Sequence, residues 1–150
     1  MERYYWTQDD LELLERVSSY REMRDIAFRV LQRIPRPTTQ VCGPISTGGA
    51  GSIEKNVARL GKAIDHLHKN GHNIFNQLPF EDSMQRVRRI EGGSYSVTLL
   101  EEFYLPIFES TFIQTLYFLP DWQSSRGATW EHDQAERLGL QIVYSEIEWN

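Results

Sequence analysis

The sequence predicts an α/β fold: a three-layer, flavodoxin- or Rossmann-like parallel sheet with an N-terminal helical extension. Three observations carry this reading. Gln40-Val41-Cys42-Gly43 reads as a short strand, Ile53 to Leu67 as an amphipathic helix, and His72-Asn73-Ile74-Phe75-Asn76 as a second strand. Strand, helix, strand within about forty residues is the pattern of a parallel pair joined by a crossover. The same alternation returns at the C-terminal end: Thr115-Leu116-Tyr117-Phe118-Leu119, a helix from Gly127 to Leu138, then Leu140-Gln141-Ile142-Val143-Tyr144. Between strand and helix in both halves lies a loop carrying glycine and serine, as open parallel sheets require at the end where ligands bind.

In order along the chain, residues from about Thr7 to Ile34 read as one helix. Thr7 and Asp10 have capping-box spacing, and Leu11, Leu14, Val17, Met23, Ile26, Val30 and Ile34 form an approximate apolar stripe. Pro35 and Pro37 stop it. Residues 1–38 are therefore an extension packed on its own domain or used as an oligomer contact, and 39–150 form the α/β domain. Ser52 is the expected N-cap of the next helix, whose Ile53, Val57, Leu60, Ile64 and Leu67 share a face; Asn70-Gly71 ends it. Pro79 to Ser96 is the least readable stretch, with a short helix at Met84 to Ile90 and a loop at Gly92-Gly93-Ser94. Leu99 to Phe112 is apolar and aromatic, and Pro106 should break or kink a helix there. Gly139 closes the last helix.

Composition bounds the function. The chain has 150 residues, 40% hydrophobic and 25% charged, enough for one core without staples. A formal charge of −5 argues against polymeric nucleic acid as partner, because such binders carry a basic face. A mononucleotide stays open, since one phosphate needs only a few amides and a cation. Cys42 is the only cysteine, so no intramolecular disulfide forms, which suits a reducing cytoplasm. The opening MERYYWTQDDLELLERV lacks the features of a signal peptide, and no run approaches the roughly 20 apolar residues of a membrane span. A cytoplasmic protein without a membrane partner is expected.

The chemistry concentrates on two loops. Asp121-Trp122-Gln123-Ser124-Ser125-Arg126-Gly127 leads from a strand into a helix, so Ser125, Arg126, Gly127 and the first free helix amides can cradle an anion. One turn further, Glu131 shares a helix face with Ala128, Ala135 and Leu138, which should look toward the sheet. A carboxylate on an apolar stripe is costly unless something pairs with it or uses it, and the positive end of the helix favours the ionised form a nucleophile needs. The competing reading is an ordinary solvated first-turn acid. The other loop, Gly43 to Gly51, offers Gly43, Ile45, Ser46, Gly48 and Gly49 for close backbone approach to a sugar or phosphate. It matches neither a dinucleotide fingerprint nor a Walker loop. His66, His68 and His72 lack metal-ligand spacing, Ser125 lacks a nucleophile elbow, and no metal or cofactor is expected. Trp122 and Trp130 flank the second loop and are candidates for stacking on a base.

Together, Cys42-Gly43-Pro44-Ile45-Ser46-Thr47-Gly48-Gly49 and Ser125-Arg126-Gly127-Ala128-Thr129-Trp130-Glu131 resemble the nucleoside 2-deoxyribosyltransferase-like family, which includes the 2'-deoxynucleoside 5'-phosphate N-hydrolases. The resemblance runs over roughly residues 39 to 145. It implies a flavodoxin-like sheet, self-association into a homodimer or larger homo-oligomer, and cleavage of the base–sugar bond of a nucleoside or nucleotide. Glu131 would be the nucleophile that attacks the anomeric carbon. Ser125 and Gly127 would hold the 5'-phosphate, and the backbone from Ile45 to Gly49 would line the sugar pocket. The chain departs from the family pattern in two places. Thr39-Gln40 stands where a tyrosine is usual, and the segment from Glu101 to Glu109, upstream of the motif strand, contains no aspartate. Glu102, Glu109 or Asp121 would have to supply the acid that protonates the departing base. Without such an acid, the same pocket would serve a nucleotide sensor that does not turn its ligand over.

Overall fold

The computed structural model describes residues 4–91 and 97–149. The chain opens with α1 (Gln8–Leu14) and α2 (Tyr20–Leu31), two helices where the apolar stripe predicts one. The break is local chemistry. Ser19 caps α2 by accepting from the Glu22 amide, and the Glu22 carboxylate reaches back to the amide and hydroxyl of Ser18. The Thr7–Asp10 capping box forms as its spacing predicts. Asp10 does more than cap: its buried carboxylate accepts from Arg33 at 2.6 Å and Arg29 at 3.1 Å, tying α1 to α2.

β1 (Thr38–Cys42) follows, then α3 (Ile53–Lys69), capped by Ser52, and β2 (Asn73–Ile74). β2 is shorter than the five residues its pattern suggests. The indole of Trp6 takes the Asn76 carbonyl at 2.9 Å, and a tight turn at Leu78–Phe80, with Pro79 near its start, bends the chain away from the sheet. That turn feeds α4 (Glu81–Ile90), which begins three residues earlier than Met84. The loop expected at Gly92-Gly93-Ser94 lies outside the described residues. α5 (Val97–Leu99) widens into a π-helical turn, Leu100–Tyr104, and tightens again as α6 (Leu105–Glu109). Pro106 explains the widening, because it has no N–H to return to the preceding turn. β3 (Thr115–Phe118), α7 (Arg126–Leu138) and β4 (Gln141–Tyr144) complete the order, with Gly139 ending α7 at φ +72°.

The strands form one parallel sheet in the order β2-β1-β3-β4, with Gln40 beside Leu116 and Cys42 beside Phe118. Successive residues of a strand point to opposite faces. Val41 accordingly packs with Leu60, Ala63, Ile64 and Leu67 of α3. Cys42, Leu116 and Phe118 pack on the other face with α2, the π turn, α6 and Ala135 of α7. This is the three-layer α/β architecture the alternation predicts. Tyr20, Met23, Ala27 and Val30 of α2 are fully buried in the larger core, so the N-terminal helices are part of the main packing unit. Among the described residues no helix is long and apolar enough to cross a membrane.

Candidate functional site

The loops after β1 and β3 meet at the carboxyl edge of the sheet. The Gly49 amide donates to the Ser124 hydroxyl at 2.9 Å, and the Arg126 amide donates to the Thr47 hydroxyl at 3.2 Å. Asn56, buried in the first turns of α3, holds the first loop from inside: it donates to the carbonyls of Ile45 and Gly48 and accepts from the Ala50 amide. Gly48 has φ +69°, and a Cβ there would lie 2.1 Å from the Ser124 carbonyl oxygen. Only glycine permits that approach.

Ser125 is the N-cap of α7; its hydroxyl accepts from the Ala128 amide at 3.1 Å. The helix so started lays Ala128, Glu131 and Ala135 against the sheet. Glu131 is 8% exposed, and its carboxylate accepts from the Gln40 side-chain amide at 2.8 Å. The Cys42 thiol adds a second hydrogen bond. The inward-facing reading therefore holds, and the solvated one is excluded. The expectation that the helix end keeps this group ionised does not hold. Burial pushes Glu131 up to about 8, against the lowering effect of the Cys42 and Gln40 hydrogen bonds. Desolvation of a charge outweighs a half-charge at a helix end. Burial and the neighbouring Glu131 likewise raise the Cys42 thiol well above its ordinary value.

Glu131, Ser125, Gly127 and Ala128 form one wall of a cleft whose floor includes Gly43, Ile45 and Ser46. The opposite wall comes from α4 and the helix around the π turn: Glu81, Met84, Arg88, Leu99, Leu100 and Tyr104. Glu81 is raised to about 7 by burial, which outweighs the pull of the Arg88 cation, with Asp82 adding to the rise. The cleft thus holds two carboxyl groups from different walls, both displaced toward neutral pH.

Other expected site residues fall elsewhere. Gly48 and Gly49 line an adjoining hollow with Gly51, Ser52, Asn56 and Ser124, and Ser46 borders both spaces. Arg126 lines neither; its amide braces the first loop. Asp121 forms an ion pair with Arg59 at 2.7 Å beside Pro120 and Trp149. Glu109 pairs with Arg137 at 3.6 Å next to Gly139, at the amino end of the strands. Glu102 pairs with Arg21 at 3.3 Å. None of these three acids reaches the cleft, because each has a cation on its own side of the fold. Trp122 stacks on His132, and Trp130 packs against Phe108.

The sequence reading passed over Glu81, Arg88, Gln40 and Tyr104. One signal for Glu81 was present: it opens the helix after β2, and the carboxyl-edge logic used for β1 and β3 applies there equally. Gln40 was visible as a long polar side chain directly before Val41 and Cys42 in a buried strand.

The family model described as Domain of unknown function (DUF4406) matches residues 38–144. No curated protein and no solved structure matches the chain.

Proposed function

Starting from membership of the DUF4406 family, to which this chain belongs, we propose that it is an N-glycosidase or deoxyribosyltransferase-type enzyme acting on a (deoxy)nucleotide, with Glu131 as nucleophile. The observation that carries the reading is the pairing of Glu131 with Glu81 across one cleft at the carboxyl edge of the sheet. A retaining glycosyl transfer needs two such carboxyl groups, one to attack and one to protonate the leaving group. The Glu131 carboxylate forms a bond to the anomeric carbon as the carbon–nitrogen bond to the base breaks. The electron pair stays on the base, which takes the Glu81 proton. Water or a second base then attacks the same carbon, Glu81 accepts the proton released, and the Glu131 ester bond breaks. Gln40, holding one carboxylate oxygen, aims the other. The start of α7 at Gly127 and the Ile45–Ser46 backbone, both lining the cleft, suit a sugar phosphate. The proposal includes self-association and a cytoplasmic setting, which a lone buried free thiol suits.

The ionisation states set the pH profile. The productive form has Glu131 ionised and Glu81 protonated, so kcat/KM rises toward about 8 as the first ionises and falls above about 7 as the second does. The expected profile is a bell with its maximum between those two values. A maximum at pH 5 would overturn the assignment.

The raised Glu131 also favours a second reading, a nucleotide sensor, since a mostly protonated acid binds without attacking. Incubating the protein with ribo- and deoxyribonucleotides and resolving free base by chromatography separates the two. Base release that disappears in a folded Glu131→Gln variant supports the enzyme. Saturable calorimetric binding without release supports the sensor, and neither result defeats both.

A further inference from the structure

We infer that α7 carries a divalent-cation site on its outer face, built from His132, Asp133 and Glu136. The ligand atoms of the three side chains lie within 4.8 Å of one another. His132 and Glu136 are four apart on the helix, and Nδ1 of the imidazole sits 3.2 Å from the Glu136 carboxylate. Modest rotation of the two exposed carboxylates brings all three into the span of a first-row metal ion, whose nitrogen and oxygen ligands stand about 2.0–2.2 Å from it.

What distinguishes this cluster from a solvated acidic face is the way its histidine is held. The ring stacks flat on Trp122, centroids 4.3 Å apart at 9°, with Tyr144 stacked at 5.8 Å. Nε2 lies 2.6 Å from the Tyr144 hydroxyl. Metal-binding histidines have this arrangement: the distal nitrogen is engaged, so the ring and its tautomer are set and the proximal nitrogen is presented to the ion. With a metal on Nδ1, the ring proton resides on Nε2 and the Tyr144 oxygen accepts it. The nearby cation does not compete, because Arg137 is engaged by Gln134 and Glu109. One imidazole with two carboxylates suits zinc, cobalt, nickel or manganese over magnesium, which prefers an all-oxygen shell. The site lies outside the cleft but under the Trp122 turn that leads to Ser125, so an occupied site braces the start of α7.

Calorimetric titration of the intact protein with zinc chloride, paired with cobalt quenching of tryptophan fluorescence, tests this. Saturable binding of one ion is expected, weakened about tenfold or more in His132→Gln and in Glu136→Gln, and by about tenfold in Tyr144→Phe, which keeps the ring but not the anchor. Magnesium should leave both signals unchanged. Binding of unchanged affinity in His132→Gln would move the site to the α3 histidines and overturn the inference, as would absence of saturation with any of the four metals.

Discussion

Glu131 costs the protein stability in order to sit where it does, and that cost can be read out. Its folded value is about 8 against an ordinary 4.5, so between those limits the folded state holds a proton that the unfolded chain has lost. The Glu131 contribution to stability is therefore greatest below about 4.5 and falls as pH rises through 8, by an amount on the order of 5 kcal/mol at most. Glu81 acts with the same sign over the narrower window to about 7. Glu131→Gln, which keeps the shape and the Gln40 contact without the charge, should melt close to wild type at pH 5 and clearly above it at pH 9. Equal melting temperatures at both would mean the carboxyl is solvated. The acid role of Glu81 is tested by leaving-group chemistry. Glu81→Gln should lower kcat by about 10²–10⁴ on ordinary nucleotides. On an N7-methylated purine nucleotide, whose base departs without a proton, most of that loss should vanish. Equal loss on both substrates would make Glu81 a positioning residue.

At the scale of elements, the two loops depend on one close backbone approach. Gly48→Ala must push a methyl into the Ser124 carbonyl and hold φ at +69°, whereas Gly51→Ala, at φ +93°, meets nothing within 4 Å. The first should lose about 2–3 kcal/mol in denaturant unfolding and weaken ligand binding, the second about 1 kcal/mol with binding unchanged. Similar losses would show that backbone strain, not loop apposition, fixes the glycine. These loops were legible in the sequence because their determinants are local: Ser52 and Ser125 as caps, Gly139 as the stop, Glu131 in phase with Ala128 and Ala135. The break at Ser18-Ser19 was not, since the apolar stripe runs through it and only side-chain caps interrupt the helix. The second wall of the cleft was hidden for a different reason. Glu81, Arg88 and Tyr104 come from α4 and a π turn whose placement depends on packing against α2, and no local pattern encodes that. The acids the sequence offered instead, Glu102, Glu109 and Asp121, were right in type and wrong in place, each held by an arginine on another face.

For the molecule as a whole, the family match and the folding unit do not coincide. The match starts at residue 38, yet the segment before it supplies Trp6, Leu14, Tyr20, Met23, Ala27, Val30 and Leu31 to the same core as Phe103, Phe108 and Phe118. Each large buried side chain is worth roughly 1.5–3 kcal/mol, and a domain of ordinary stability holds only about 5–15 kcal/mol in total. Removing residues 1–34 deletes several of these at once and uncovers the face of the sheet that backs Glu131. The fragment 35–150 should therefore show no cooperative thermal transition and should bind a hydrophobic dye, with base release lost alongside the fold. A fragment that melts cooperatively would instead mean that α1 and α2 are a detachable cover. The same helices predict the acid limit of the intact chain. Burial alone would raise Asp10, but its hydrogen bonds with Arg33, Thr7 and Arg29 outweigh that and hold it at about 2. Its stabilisation is complete above its ordinary 3.8 and disappears as pH falls through about 2. Acid unfolding in that window should shift to higher pH in Asp10→Asn, because the clamp between α1 and α2 is then gone before titration begins. An unchanged acid midpoint would show that the ion pairs follow the packing of the two helices and do not secure it.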